Sequence, residues 1–486
     1  MARPTVIDAA NLSALLSTLL TPNSAAIRET EDHLRRALAQ PAFICDLFEQ
    51  IQSSPSAELR QLAAVLVRRR VGSLWLKLEP PIRKALQAAL IQRLGAEPER
   101  LVRRSLTSVV AVVAKSALPK GEWPELAPFL FEATRSSAAE HRELSMHLLA
   151  SLLESEDVVE AALRPHFAHV SATLQTLLAD QSSPHVRRAT LKAVGAWAFV
   201  LIGDEALSQL APLLAPLHDV CRASAESFDE ESLVCAFELL QQVLEAASNA
   251  LLEAHLAPLL ALALDVLTAS SMEEDTRFAA LHMVMAALEY RKKLIVRQKL
   301  AAGIVQKLFA CCAEACAARE GDDDDDETLE KGAGEAIHLL ASNLPSKHAA
   351  PHILECAHAY SRDAQQPARR RAAIIGLAMA AEGCCDTFEE VLPQLLPLVY
   401  AACADDTHIV REAACIALGE FAQNLQPTII THYQQVLPHI FMVRPRPACP
   451  ALSACRAPRP RRRAHAHTPR ARAHAAAVAM MSKLSY

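Results

Sequence analysis

The chain has 486 residues, 51% of them apolar but only 4% aromatic, and a formal net charge of −6. Its apolar mass is Leu and Ala, which suits close packing between helices and excludes a β-sandwich or barrel. No apolar run reaches the roughly 18 residues of a membrane helix; the longest, Leu256–Leu267, holds Pro258 and Asp265.

From the amino terminus, Met1–Leu20 carries Asp8 and Asn11 inside its apolar pattern, which predicts an amphipathic first helix and not a signal peptide. Arginines then recur at equivalent places: Arg28, Arg60, Arg103, Arg142, Arg187, Arg277, Arg370 and Arg411. The gaps are 32, 43, 39, 45, 90, 93 and 41 residues. The two long gaps are doubled units, with degenerate repeats expected around Glu231–Leu244 and Leu329–Leu340. Ten units result, and Gln426–Phe441 begins an eleventh. A period near 40 without strand signals predicts an all-α solenoid of two-helix HEAT or armadillo type, not the shorter tetratricopeptide or ankyrin repeats.

The motif itself repeats. Val186-Arg187-Arg188-Ala189 leads to Ala193-Val194-Gly195 and Trp197-Ala198; Val410-Arg411-Glu412-Ala413 leads to Ala417-Leu418-Gly419 and Phe421-Ala422. In the later copy Val410, Ala413, Ala414, Ala417, Leu418 and Phe421 make one apolar helical stripe. Arg411 lies one position off that stripe, so the ladder is expected to be structural, each arginine bonding a turn, with Asp405 the natural partner type for Arg411. Pro41, Pro55, Pro98, Pro119, Pro184, Pro345 and Pro427 fall between helices. Pro212, Pro216, Pro258, Pro393 and Pro397 lie in apolar runs and predict kinks or first-turn positions.

Thirteen cysteines include Cys311, Cys312 and Cys316, and the pair Cys384 and Cys385. They carry no CxxC spacing and no placed histidine, so buried free thiols are expected, not a zinc site. There is no phosphate loop, GxSxG or HExxH, and Gly332-Ala333-Gly334 is a poor remnant of a dinucleotide fingerprint. No enzyme activity, cofactor or metal is expected.

Charge is segregated. Residues 443–486 hold nine arginines, one lysine and no acid, +10 in all, which leaves −16 on residues 1–442. A strongly acidic scaffold steers basic partners towards it. The densest acid is Asp322, Asp323, Asp324, Asp325, Asp326 and Glu327. It reads either as a solvated loop or as a counter-surface for basic cargo that raises association rate and weakens with salt.

Two segments carry a family resemblance. Leu59-Arg60-Gln61-Leu62-Ala63-Ala64-Val65-Leu66-Val67-Arg68-Arg69-Arg70-Val71 with Trp75 resembles the amino-terminal signature of importin-beta-type nuclear transport receptors. Ala417–Pro427 resembles the same family, and the similarity runs from about residue 5 to 442. It implies a nuclear import receptor that shuttles between cytoplasm and nucleus, with neither membrane insertion nor direct nucleic-acid binding. The implied partners are Ran-GTP, Phe-Gly nucleoporins and basic cargo such as histones or ribosomal proteins. Ran contact is implied for Arg68, Arg69, Arg70, Arg103 and Arg104, whose other reading is basic helix ends favoured by the dipole. Asp322–Glu327 matches the place where such receptors contact cargo and Ran. Residues 1–115 would then be the Ran-binding repeats, and 116–442 further repeats with an acidic insertion at 320–328. The other class open to such a chain is a HEAT scaffold for a multiprotein complex.

After Met442 the pattern departs from the family. Residues 443–486 read as disordered or aberrant sequence, with Arg459-Pro460-Arg461-Arg462-Arg463 also open to reading as a nuclear-localisation patch, or as a tail folding back on the acidic run. An eleventh repeat without its second helix would leave an apolar face uncapped, and poor stability in isolation is expected.

Overall fold

A computed structural model describes residues 9–20, 24–201, 208–315 and 328–442. The acidic run, Cys316 and the basic tail lie outside the described residues. Every long element is a helix, and the helices come in pairs, here called A and B. The pairs are α1 (Ala9–Leu19) with α2 (Ser24–Ala37), α3 (Phe43–Ser53) with α4 (Ala57–Leu74), and α5 (Pro80–Ala96) with α6 (Arg100–Ala117). Next come α7 (Leu126–Thr134) with α8 (Ala139–Leu153), α9 (Phe167–Leu178) with α10 (Pro184–Val200), and α11 (Ala211–Ser227) with α12 (Glu230–Ala246). The series continues with α13 (Leu256–Leu267) and α14 (Glu274–Tyr290), then α15 (Ala301–Ala315) and α16 (Leu329–Asn343). Last are α17 (Ser346–Ser361) with α18 (Pro367–Ala380), and α19 (Cys385–Cys403) with α20 (His408–Asn424). Then α21 (Tyr433–Met442) opens another pair; short helical turns between these are left unnumbered. The predicted count of ten pairs and a begun eleventh therefore holds among the described residues, and α12 and α16 occupy the two places where the ladder lacks an arginine.

Local chemistry sets the helix limits. Pro80, Pro184 and Pro367 open α5, α10 and α18 at first-turn positions, where no backbone N–H is required of them. The Ser56 hydroxyl accepts from Leu59 N at 3.3 Å, and Thr328 Oγ1 accepts from Lys331 N at 3.2 Å, capping α4 and α16. Pro216, Pro393 and Pro397 lie inside α11 and α19, while Pro212 sits in the first turn of α11.

The chain divides into two compact units, Met1–Gln242 and Val243–Tyr486. In the first, successive B helices pack together: α4 on α6, α6 on α8, α8 on α10. Trp75, Trp123 and Trp197 are fully buried there, and the Phe167 ring meets Trp197 edge-on at 4.5 Å. In the second unit α14, α16, α18 and α20 stack in the same way. The α20 stripe read from sequence is the buried one: Val410, Ala413, Ala414, Ala417, Leu418 and Phe421 are each 2% exposed or less. Small residues let these helices approach closely. A Cβ on Gly376 of α18 would clash with the outer edge of the Phe309 ring of α15. No helix among the described residues is long and apolar enough to cross a membrane.

Candidate functional site

The ladder arginines leave their B helices at the first turn and fold back onto the A–B loop just before it. Arg60 Nη1 donates to the carbonyls of Ser54 and Pro55, at 3.1 and 3.0 Å. Arg103 donates to Glu97 O and Pro98 O, Arg142 to Ser136 O and Ser137 O, and Arg187 to Asp180 O. Arg277 donates to Leu267 O, Arg370 to Asp363 O and Ala364 O, and Arg411 to Asp405 O and Asp406 O. These carbonyls would otherwise be orphaned in a tight turn. Arg28 differs: it is exposed on α2.

Three of these arginines also reach one repeat forward. Arg60 Nη2 donates to Glu97 Oε1 at 2.8 Å, Arg142 Nε to Asp180 Oδ2 at 2.8 Å, and Arg370 Nε to Asp405 Oδ2 at 2.7 Å. The acid in each case is the residue whose carbonyl binds the next arginine. So one turn residue joins two repeats, its carboxylate to the arginine behind and its carbonyl to the arginine ahead. Asp405 thus serves Arg411 through its carbonyl only; its carboxylate belongs to Arg370, 35 residues upstream. Burial pushes the Glu97, Asp180 and Asp405 carboxyls up, and hydrogen bonds from arginine, hydroxyl and backbone donors outweigh it, leaving all three below their ordinary range. Arg277 makes a variant of the joint, with Glu314 at the end of α15 at 2.8 Å.

The arginines implied as Ran contacts separate into two kinds. Arg68, Arg69 and Arg104 are exposed. Arg70 is half-buried and donates from Nε to Leu38 O at 3.0 Å, closing the end of α2. Arg103 is 7% exposed and fixed in its own turn, so its guanidinium does not face a partner. The correction is physical: Arg103 sits with Leu106, Thr107 and Val110 on the buried face of α6, and Arg104, about 100° further round the helix, faces solvent. Asp322, Asp323, Asp324, Asp325, Asp326 and Glu327 are outside the described residues.

Beside this surface, Arg100 holds Glu143 at 2.7 Å and His147 approaches the same carboxylate at 3.4 Å. Burial pushes Glu143 up, but bonds from His147 and Arg100 dominate and bring it down to about 2. No group of three His, Cys, Asp or Glu that could hold a metal occurs among the described residues. Cys311 is buried in α15, with its thiol pushed up to about 11 by burial, and Cys384 likewise to about 11. Such thiols are inert as ligands or nucleophiles.

Sequence comparison identifies the wider group. Residues 98–262 match the family model described as IPO5-like, TPR repeats, and 367–421 match a HEAT-like repeat. Within the first stretch the ladder spacing is 39 and 45 residues, the longer HEAT-type unit. The chain is 28% identical to Importin-4 of Mus musculus over 89% of its own length, and 26% identical to the probable importin subunit beta-4 of Schizosaccharomyces pombe over 88%. These likenesses, taken together, are to importins of the importin-beta type. The chain spans 40% of the length of these relatives. Its fold is that of Kap121p, solved bound to RanGTP, with a TM-score of 0.79 at 18% identity, covering 97% of this chain and 44% of that one. Kap121p bound to Nup53p gives a TM-score of 0.79 at 19% identity, covering 99% and 45%.

The ladder is thus architecture, and the exposed arginines beside it are the candidate partner surface. Sequence reasoning missed a cleft beside α5. Its one signal is Gln87, a polar residue in phase with the buried Leu90 and Leu94.

Proposed function

We propose that this chain is the amino-terminal portion of a nuclear import receptor, shuttling between cytoplasm and nucleus, and not an enzyme. Its likeness to importins along nearly nine-tenths of its length is the observation that carries this reading. Ran-GTP contacts the early repeats, within residues 1–115, through Arg68, Arg69 and Arg104, with Arg70 at the edge. Exposure of these three guanidiniums in the segment bearing the family signature supports their role. Basic cargo is drawn to the acidic body, −16 over residues 1–442, and to Asp322–Glu327. Phe-Gly nucleoporins dock between helices. Kap121p, which has this fold, has been solved with RanGTP, with the proteins Ste12p and Pho4p, and with Nup53p.

The deciding experiment is a pull-down of the full chain with Ran locked on GTP, against Ran on GDP. GTP-dependent capture, reduced by Arg68→Glu with Arg69→Glu and by Arg104→Glu, is expected. Equal capture of both nucleotide forms, or none, would sink the transport reading and leave a helical-repeat scaffold for a multiprotein complex.

A further inference from the structure

A helical turn, Lys292–Arg297, joins α14 to α15. Residues 291–299 hold five cations, Arg291, Lys292, Lys293, Arg297 and Lys299, and no acid, in a body that carries −16 over residues 1–442. Leu294 and Ile295 are buried and anchor the turn, so Lys292, Lys293 and Arg297 fall on its solvent side. Arg297 is engaged by Glu253 at 2.8 Å. Lys292, Lys293 and Lys299 are exposed, with no ion pair or hydrogen bond among the described residues. Arg291, next to them in the chain, is 8% exposed. It donates to Leu244 O, Glu245 O and Asn249 Oδ1, all neutral, so its buried charge has no carboxylate to offset it. The other acids near the turn, Glu245 and Glu289, act on the Tyr290 hydroxyl at its far end from Lys299.

The backbone at Lys299 is a second, independent observation. Its φ is 56°, in the left-handed region. Lys299 N donates to Val296 O and Leu300 N to Ile295 O, the two bonds that close a helix on a left-handed residue. Glycine or asparagine is the usual occupant of that position, and a lysine there is less stable than glycine would be. The local rule is thus broken by one of the three unpaired cations, as is common where a residue is kept for what it binds.

The chemistry of the patch narrows its ligand. One exposed charge contact is worth little, so a ligand must meet several lysines at once. Lysine is a point charge suited to phosphate, whereas paired recognition of a carboxylate needs arginine, and the exposed arginine of the turn is already taken. The turn is about 9 Å long, and screening confines its field to about 8 Å at physiological salt. A compact ion therefore meets the patch alone, while a long polyanion also meets the acidic body. We infer that this turn binds a compact ligand bearing several phosphates, held jointly by Lys292, Lys293 and Lys299. Its phosphates are free in solution or borne on a lipid headgroup, and the recognition is the same. The inference rests on the second unit and not on the transport reading, so a chain that ignores Ran still displays it.

The test acetylates the lysines of the full chain with and without inositol hexakisphosphate and maps them by mass spectrometry. Lys292, Lys293 and Lys299 should be protected; Lys115 and Lys307, partly exposed but paired with acids, should not. Lys292→Gln with Lys293→Gln should raise the concentration that half-protects Lys299 about tenfold. Lys299→Gly should raise the concentration that half-protects Lys292 about threefold, yet also raise the thermal midpoint, since glycine suits the left-handed backbone. A purely structural lysine would not move the two in opposite senses. Retention on phosphatidylcholine vesicles doped with a phosphoinositide, lost in the same variants, assigns the headgroup; protection by the free probe alone assigns a soluble ligand. Equal protection by sulfate at matched ionic strength, uniform protection of all lysines, protection confined to Lys483, or no shift in either variant would overturn the inference. So would stronger protection by single-stranded DNA at equal phosphate concentration, which would mark a nucleic-acid surface instead.

Discussion

Two designs of joint between repeats stand side by side, and the contrast shows what the arginine ladder does. At Arg60–Glu97–Arg103, Arg142–Asp180–Arg187 and Arg370–Asp405–Arg411, one acidic turn residue links the arginines of successive B helices. At α10–α12 and α16–α18 one ladder arginine is absent, and the neighbouring position takes over. Arg188 lies 3.8 Å from Asp229 and pairs also with Glu231, while Arg371 pairs with Glu330. The first design fixes two turns through one buried residue; the second is an ion pair between helix ends, with no turn carbonyl shared. A solenoid's stability is a sum of repeat and neighbour terms, so the two kinds of joint should differ in local opening free energy.

The largest effect is expected from Arg60→Ala. The Glu97 side chain is wholly buried, and Arg60 is its bidentate partner. Removing one member of such a pair leaves a charge without compensation, at about 3 kcal/mol, with Arg93 limiting the loss. Amide exchange should accelerate in α4 and α6 first. A paired Arg60→Met, Glu97→Leu variant should lose much less, because apolar replacement of a whole buried pair is often neutral. Equal loss in single and double variants would refute the joint as described.

Acid comes next. Glu143 titrates at about 2 in the fold against an ordinary value of 4.5. Its folded value is depressed, so the unfolded chain binds the proton first as pH falls. Its stabilisation is complete above about 4.5 and is lost progressively down to about 2, on the order of 3 kcal/mol in all. Glu143→Gln should flatten the acid-unfolding profile over that interval, followed by circular dichroism. A variant with the wild-type slope would show that Arg100 and His147 do not hold this carboxylate in solution.

How much of this was legible in the sequence follows from where each interaction lies. The helical stripe of α20 and the count of units needed only periodicity, because burial on one helix face repeats every turn. The link from Asp405 to Arg370 was not legible. The sequence offers Arg411, six residues away, as the apparent partner, and only stacking brings the α18 arginine, 35 residues earlier, to the same turn. Arg103 was recoverable: its spacing to Leu106, Thr107 and Val110 already puts it on the buried face, unlike Arg104. The domain limits at 115 and 116 rest on the family resemblance alone.

A smaller effect tests the packing that both kinds of joint depend on. Gly376→Ala places a methyl on the Phe309 ring, which Tyr360 braces edge-on at 5.8 Å. Overpacking of this kind costs about 1–3 kcal/mol. Exchange in α15 and α18 should rise, and Phe309→Leu in the same chain should relieve part of the loss by vacating the ring's space. No relief would mean that the methyl meets something other than that ring.

The smallest effect separates the two joint designs directly. Arg188 and Asp229 are each about one-fifth exposed and 3.8 Å apart, beyond a good hydrogen bond, and Glu231 also serves the arginine. Asp229 carries a second duty: its Oδ2 accepts from the Ser232 hydroxyl at 2.7 Å at the start of α12. Asp229→Asn keeps an acceptor for Ser232 and removes only the charge. The expected loss is under about 1 kcal/mol, the range of partly exposed pairs, and 0.5 M salt should remove most of the difference from wild type. At the Glu97 joint the same salt should change little, since a pair shut away from water is poorly screened. Equal salt sensitivity at the two joints would mean that the shared turn residue gives no protection from solvent, and the distinction between the designs would fall.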